Sequence, residues 1–208
     1  IEVSAFGSMF LLLVFLNFLF DEDREIYWIK SLEETLKKLG KSRLSAYIVS
    51  ILFLVLFSFL VEESRRRDFF TAGGWGIWVY LAIELLCDFL EKSGKDVTNM
   101  VKTGSIGGFI YLEVLDASFS FDGVIGAFAI SKDIIIIMVG LGVGALFVRS
   151  ITIYLVEKET LNEYVFLEHG AHYAIGILAF IMLLNIKYHI PEAITGLIGV
   201  SFILLSLY

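Results

Sequence analysis

Three carboxylates, Glu113, Asp116 and Asp122, stand inside one apolar run, YLEVLDASFSFDGVIGAFAIS, from Tyr111 to Ser131. The run reads as a membrane helix, and a charged side chain at bilayer depth costs roughly 2.5–3.5 kcal/mol on insertion scales. Carboxylates persist there when a function needs them, and the simplest such function is a path for cations. Glu113 and Asp116 are three residues apart and share a helix face. Asp116 and Asp122 are six apart, about 120° around a regular helix and roughly 9 Å along it. One ion reaches both only if the helix is broken. Asp122-Gly123 is the candidate break, with Ser118 and Ser120 placed to cap freed backbone groups. Discontinuous helices near the midplane are a recurring way to build transporter ion sites. With an unbroken helix, the two Asp residues are successive stations along one path.

Other ionisable groups are expected at the same depth. Arg149 comes back to that level on the next helix, where it is expected to neutralise Asp116 or Glu113. Glu168, His169 and His172 follow on the helix after that, and Glu84 and Asp88 end an earlier one. The imidazoles fit metal ligands, a proton relay or hydrogen-bonded packing residues. Glu192, at a helix start, suits the local dipole without further function. Thiolate-free, oxygen-rich donor sets favour Mg²⁺, Ca²⁺ or Mn²⁺, and an added imidazole shifts the balance toward transition metals. The expected metal-site residues are therefore Asp116, Asp122, Glu113, His172, Glu168 and Glu84, with Mn²⁺ as the first candidate substrate and no organic cofactor.

The elements that must hold these groups are helices in a bilayer. Of the 208 residues, 58% are hydrophobic, too many for the surface of a soluble domain of this size. The one Pro leaves long helices uninterrupted, and the one Cys, Cys87, excludes an intrachain disulfide. Apolar windows predict seven membrane helices, at 3–20, 45–61, 74–91, 106–130, 134–156, 164–184 and 190–208. Between the first two lies DEDREIYWIKSLEETLKKLGKSR, in which Ile29, Leu32, Leu36 and Leu39 recur at helical spacing. That pattern fits an amphipathic helix on the membrane surface, or a solvated connector. Loops after the first, third and fifth helices carry six, three and one basic residues; the alternate loops carry three, one and one. The excess places the first set on the cytoplasmic side of a plasma (inner) membrane. Gly104 and Gly108, and Gly140 and Gly144, have the spacing that lets helices approach closely. Pro191 suits the first turn of the last helix.

The segment EVLDASFSFDGVIGAFAIS, Glu113 to Ser131, resembles the second acidic motif of the TerC family of integral membrane proteins, within the LysE-type transporter superfamily. Arg149 falls where that family has an Arg on the following helix, and LEHGAHYAIG, Leu167 to Gly176, resembles an uncharacterised branch of the superfamily. The resemblance spans roughly residues 105–185. It implies a helical membrane protein of two three-helix repeats that exports divalent metal, manganese especially, with Asp116 and Asp122 at the metal site. The family's earlier acidic motif, of the type S-x-D-N-A, is not found in this sequence. Combined with a start at Ile1 and no signal-peptide n-region, this predicts that a first acidic half lies upstream.

The expected organisation is then 1–20 as the last helix of a first repeat and 21–44 as a cytoplasmic amphipathic connector. Residues 45–104 form a two-helix insertion, 105–185 the second repeat and 186–208 a C-terminal helix. The expected partners are the lipid bilayer, a metal ion and a second copy of the chain, with no nucleic acid. The competing reading is a non-transporting membrane protein that docks or assembles other stress-response or membrane proteins. Enzyme function is not expected. A helix-borne metalloprotease needs HExxH, whereas the chain has EHGAH, and a retinal protein needs a Lys inside its seventh helix, where Lys187 lies just before it.

Overall fold

A computed structural model describes residues 1–21, 26–40, 44–92, 124, 126–128, 130–157, 165–188 and 190–207. Among these the chain is all-helical: α1 (Glu2–Phe20), α2 (Lys30–Leu39), α3 (Leu44–Ser58), a 3₁₀ turn (Glu63–Arg65), α4 (Arg66–Lys92), α5 (Ile134–Glu157), α6 (Leu167–Leu184) and α7 (Glu192–Ser206). Six of the seven expected membrane segments coincide with these helices to within a few residues, apart from α4, which begins eight residues early. The seventh expectation, 106–130, falls mostly outside the described residues. Three helices, α1, α6 and the first eighteen residues of α5, are long and apolar enough to cross a membrane. Two further apolar helices, Leu44–Ser58 and Ala193–Ser206, are shorter. The architecture fits a helical membrane protein.

The core is organised around α1. Twelve of its nineteen residues are buried, because α4 and α6 pack along it and α3 and α2 close against it, while α7 packs on α6. Two glycines set how near those helices come. A side chain on Gly76 of α4 would overlap the carbonyl oxygen of Phe6, and a Cβ on Gly176 of α6 would stand 2.6 Å from the Phe15 ring. Only residues without a Cβ allow those crossings.

Local rules account for the helix ends. Arg66 Nε donates to the carbonyl of Ser58 at 3.2 Å, covering the orphaned end of α3 as the chain turns into α4. Asp133 caps α5, its Oδ1 accepting from the backbone N–H of Ile135 at 2.9 Å and of Ile136 at 3.3 Å. At the end of α2, Gly40 N–H donates to Leu36 and Lys37 carbonyls, and a Cβ there would lie 2.5 Å from Phe20 Cβ. That contact ties the connector to the end of α1. Leu36 packs on the core, so the apolar stripe of α2 faces the bundle.

Candidate functional site

The central acids of the sequence reading, Glu113, Asp116 and Asp122, lie outside the described residues, and so does any pairing of Asp116 with Arg149. The tail of their segment is helical at Val124, 126–128 and Ile130. Gly126 there is buried, and a Cβ on it would approach Leu178 of α6 to 3.2 Å. Val124 and Phe128 line an apolar groove of about 550 Å³ with Phe6 of α1 and Ala72 and Trp75 of α4. The acidic segment thus ends against the α1–α4–α6 bundle.

The remaining expected residues are spread over the fold. Glu84 is half-buried on α4, where it accepts a short hydrogen bond from Tyr47 of α3. Tyr80, one turn earlier, accepts from Asn17 Nδ2 of α1 at 2.7 Å and faces Tyr47 edge-on at 6.4 Å. These four residues form a polar seam through otherwise apolar helices. Arg149 is exposed on α5, and Glu168 is exposed in the first turn of α6. His172 stacks flat on Phe18, with centroids 3.9 Å apart, and its Nδ1 lies 2.8 Å from the Glu168 carbonyl. Among the described residues no group of three or more His, Cys, Asp and Glu side chains is gathered around one point. Glu84, Glu168 and His172 therefore do not form one cluster by themselves.

A buried polar cluster forms elsewhere, around a residue the sequence reading passed over. Glu33 of α2 is fully buried. Its Oε1 accepts from Tyr173 Oη of α6 at 2.8 Å and from the backbone N–H of Ile29 at 3.2 Å. In the second bond an early helical Glu reaches back to the cap residue, one position later than in a capping box. Its Oε2 lies 3.7 Å from His169 Nε2. That ring, 2% exposed, stands 3.0 Å from the Ile26 carbonyl and is held edge-on by Phe18 and Phe166. Trp28 meets Tyr173 edge-on at 5.6 Å and closes the cluster. His169 is thereby held in a buried, hydrogen-bonded position that ties the connector to α6. The signal for Glu33 was present in the sequence. At 100° per residue, position 33 falls within about 60° of Ile29 and Leu36, on the apolar stripe of α2 rather than its polar face.

Over residues 1–208 the chain matches the family described as protein of unknown function (DUF475), and it belongs to that family. No curated protein and no solved structure matches it.

Proposed function

We propose that this DUF475 protein is a multi-pass membrane transporter of divalent cations, with Mn²⁺ the first candidate and export the direction. The observation that carries the reading is Glu84, a carboxylate set among apolar helices and held by the Tyr47 hydroxyl. Intramembrane carboxylates mark ion and proton pathways. The sequence adds Glu113, Asp116 and Asp122 in one apolar run, and the tail of that run reaches the same bundle. The resemblance to the TerC family supports metal export through Asp116 and Asp122.

In this reading Asp122, beside Gly123, exchanges metal for H⁺: it is ionised with a cation bound and protonated without one. Asp116, paired with Arg149, shapes the site and sets its net charge. The test is Mn²⁺ flux in proteoliposomes, with thermal stability measured on the same preparations. Asp122→Asn should abolish flux in a folded, inserted protein, and Asp116→Asn should lower both flux and stability. Wild-type flux in Asp122→Asn would remove the acidic run as the path and the reading with it. The alternative, a non-transporting assembly partner, is favoured by the exposure of α5, most of whose apolar side chains are exposed among the described residues. It predicts no flux from the wild-type protein.

A further inference from the structure

We propose that Glu33, His169 and the main-chain carbonyl of Ile26 form a binding site for a first-row divalent cation, separate from the acidic run and fastening the connector to α6. The donors converge from two elements. His169 Nε2 lies 3.0 Å from the Ile26 oxygen and 3.7 Å from Glu33 Oε2. An ion at about 2.1 Å from each donor would close those separations at angles of about 90° and about 125°, close to the angles of a trigonal-bipyramidal site. One imidazole with carboxylate and carbonyl oxygens suits Mn²⁺, Co²⁺ or Zn²⁺ better than Mg²⁺ or Ca²⁺.

Both side-chain donors are already oriented. Metal-ligating carboxylates are themselves hydrogen-bonded, and here Tyr173 Oη and Ile29 N–H hold Oε1, which turns Oε2 toward His169. Two phenylalanine edges hold the imidazole, with centroids at 5.2 Å for Phe18 and 5.9 Å for Phe166. Its protonation is equally suited. Binding requires Nε2 to release its proton while Nδ1 takes one, so the ring stays neutral. Nδ1 is buried with no hydrogen-bond partner among the described residues, so it is open to take that proton.

The experiment uses the full chain in lipid nanodiscs with Mn²⁺ alone. Pulsed electron paramagnetic resonance should show ¹⁴N modulation from one bound imidazole. The chain has three His, so the double variant His172→Gln, His189→Gln leaves only His169, and the modulation should persist in it. Glu33→Gln should weaken Mn²⁺ binding at this site about tenfold or more, and Tyr173→Phe, which loosens the carboxylate, about tenfold. Wild-type protein without ¹⁴N modulation at saturating Mn²⁺ overturns the proposal. So does loss of modulation in the double variant, or unchanged affinity in both Glu33→Gln and Tyr173→Phe. The site stands apart from transport. The modulation should survive Asp122→Asn, and an absence of flux beside an intact nitrogen signal defeats the transport reading alone.

Discussion

Helices α1 and α5 are almost equally apolar, with mean hydropathies of 2.2 and 2.4 over their spanning windows. Yet 67% of the α1 window is buried and 6% of the α5 window. Hydropathy measures how readily a segment leaves water; it does not measure what the segment meets afterwards. Within lipid no hydrophobic force sorts helices from one another, so close packing and polar contacts decide. α1 has both. Asn17 bonds Tyr80, Gly76 and Gly176 admit its neighbours, and α2 is fastened across its end at Gly40. α5 has a Gly140–Gly144 pair, but among the described residues a Cβ on Gly140, Gly142 or Gly144 would meet nothing within 4 Å. The spacing permits a close crossing; a facing surface of matching shape has to supply it.

The sharpest way to break this contrast is through the polar fastening on the packed side. Glu33→Ala removes the acceptor for the buried Tyr173 Oη and for the Ile29 N–H, and the neighbour of the buried His169. Each buried donor left without a partner costs about 1–3 kcal/mol, so the variant should lose about 2 kcal/mol or more. Reversible unfolding in mixed micelles reads that loss, and Glu33→Gln, which keeps an acceptor, should lose distinctly less. Equal losses would mean that packing rather than hydrogen bonding holds α2 down.

Next in size is Gly76→Ala. The new methyl meets a main-chain carbonyl, which cannot rotate aside as a side chain would, so α1 and α4 must separate along their contact. Overpacking of this kind costs about 1–3 kcal/mol, with the upper end expected. Leu12→Ala, at a position 1% exposed on α1, should follow at about 2 kcal/mol. The cavity left behind dominates that figure, because the transfer term shrinks when lipid replaces water as the reference. The same unfolding assay ranks the pair, and an α1 that tolerates Leu12→Ala without change would not be the packed centre.

What the sequence revealed follows the same division. Apolar runs placed the helices: residues 3–20 anticipated α1 and 134–156 anticipated α5, because leaving water is a property of the segment itself. Hydropathy alone put both in a membrane and could not say that α5 would lie bare. Glu33 was missed because a charge in a lysine-rich connector reads as solvated, although its register with Ile29 and Leu36 put it on the buried stripe. Its partners are 136 and 140 positions away, at His169 and Tyr173, and no local pattern pairs them. His169 and His172 were singled out together, yet one is tied to the connector and the other is stacked on Phe18. Both rings meet Phe18, but the three-residue step between them presents one edge-on and the other face to face. Glu84 was read as a buried carboxylate but without a partner, since Tyr47 lies on another helix.

The smallest expected effects are on α5, where the comparison can be tested by the absence of a response. Ile135 is 73% exposed, and among the described residues nothing lies within 4 Å of a Cβ on Gly144. Ile135→Ala leaves no cavity, since nothing encloses the side chain, and it exchanges one apolar surface facing lipid for a smaller one. Gly144→Ala adds a methyl to open space and removes backbone freedom from the unfolded chain, which favours the helix slightly. Both variants should stay within about 0.5 kcal/mol of wild type, as surface substitutions do, with Gly144→Ala on the stabilising side. The informative measurement is the same pair across a dilution series in micelles. If α5 is a lipid-facing helix of a single chain, neither variant responds to protein concentration. If a second copy covers it, Gly144→Ala should destabilise by about 1 kcal/mol or more at high concentration and lose that effect on dilution, because association adds to apparent stability by mass action. A concentration-dependent loss would assign α5 to an interface between copies and return the Gly140–Gly144 spacing to the role its sequence suggested.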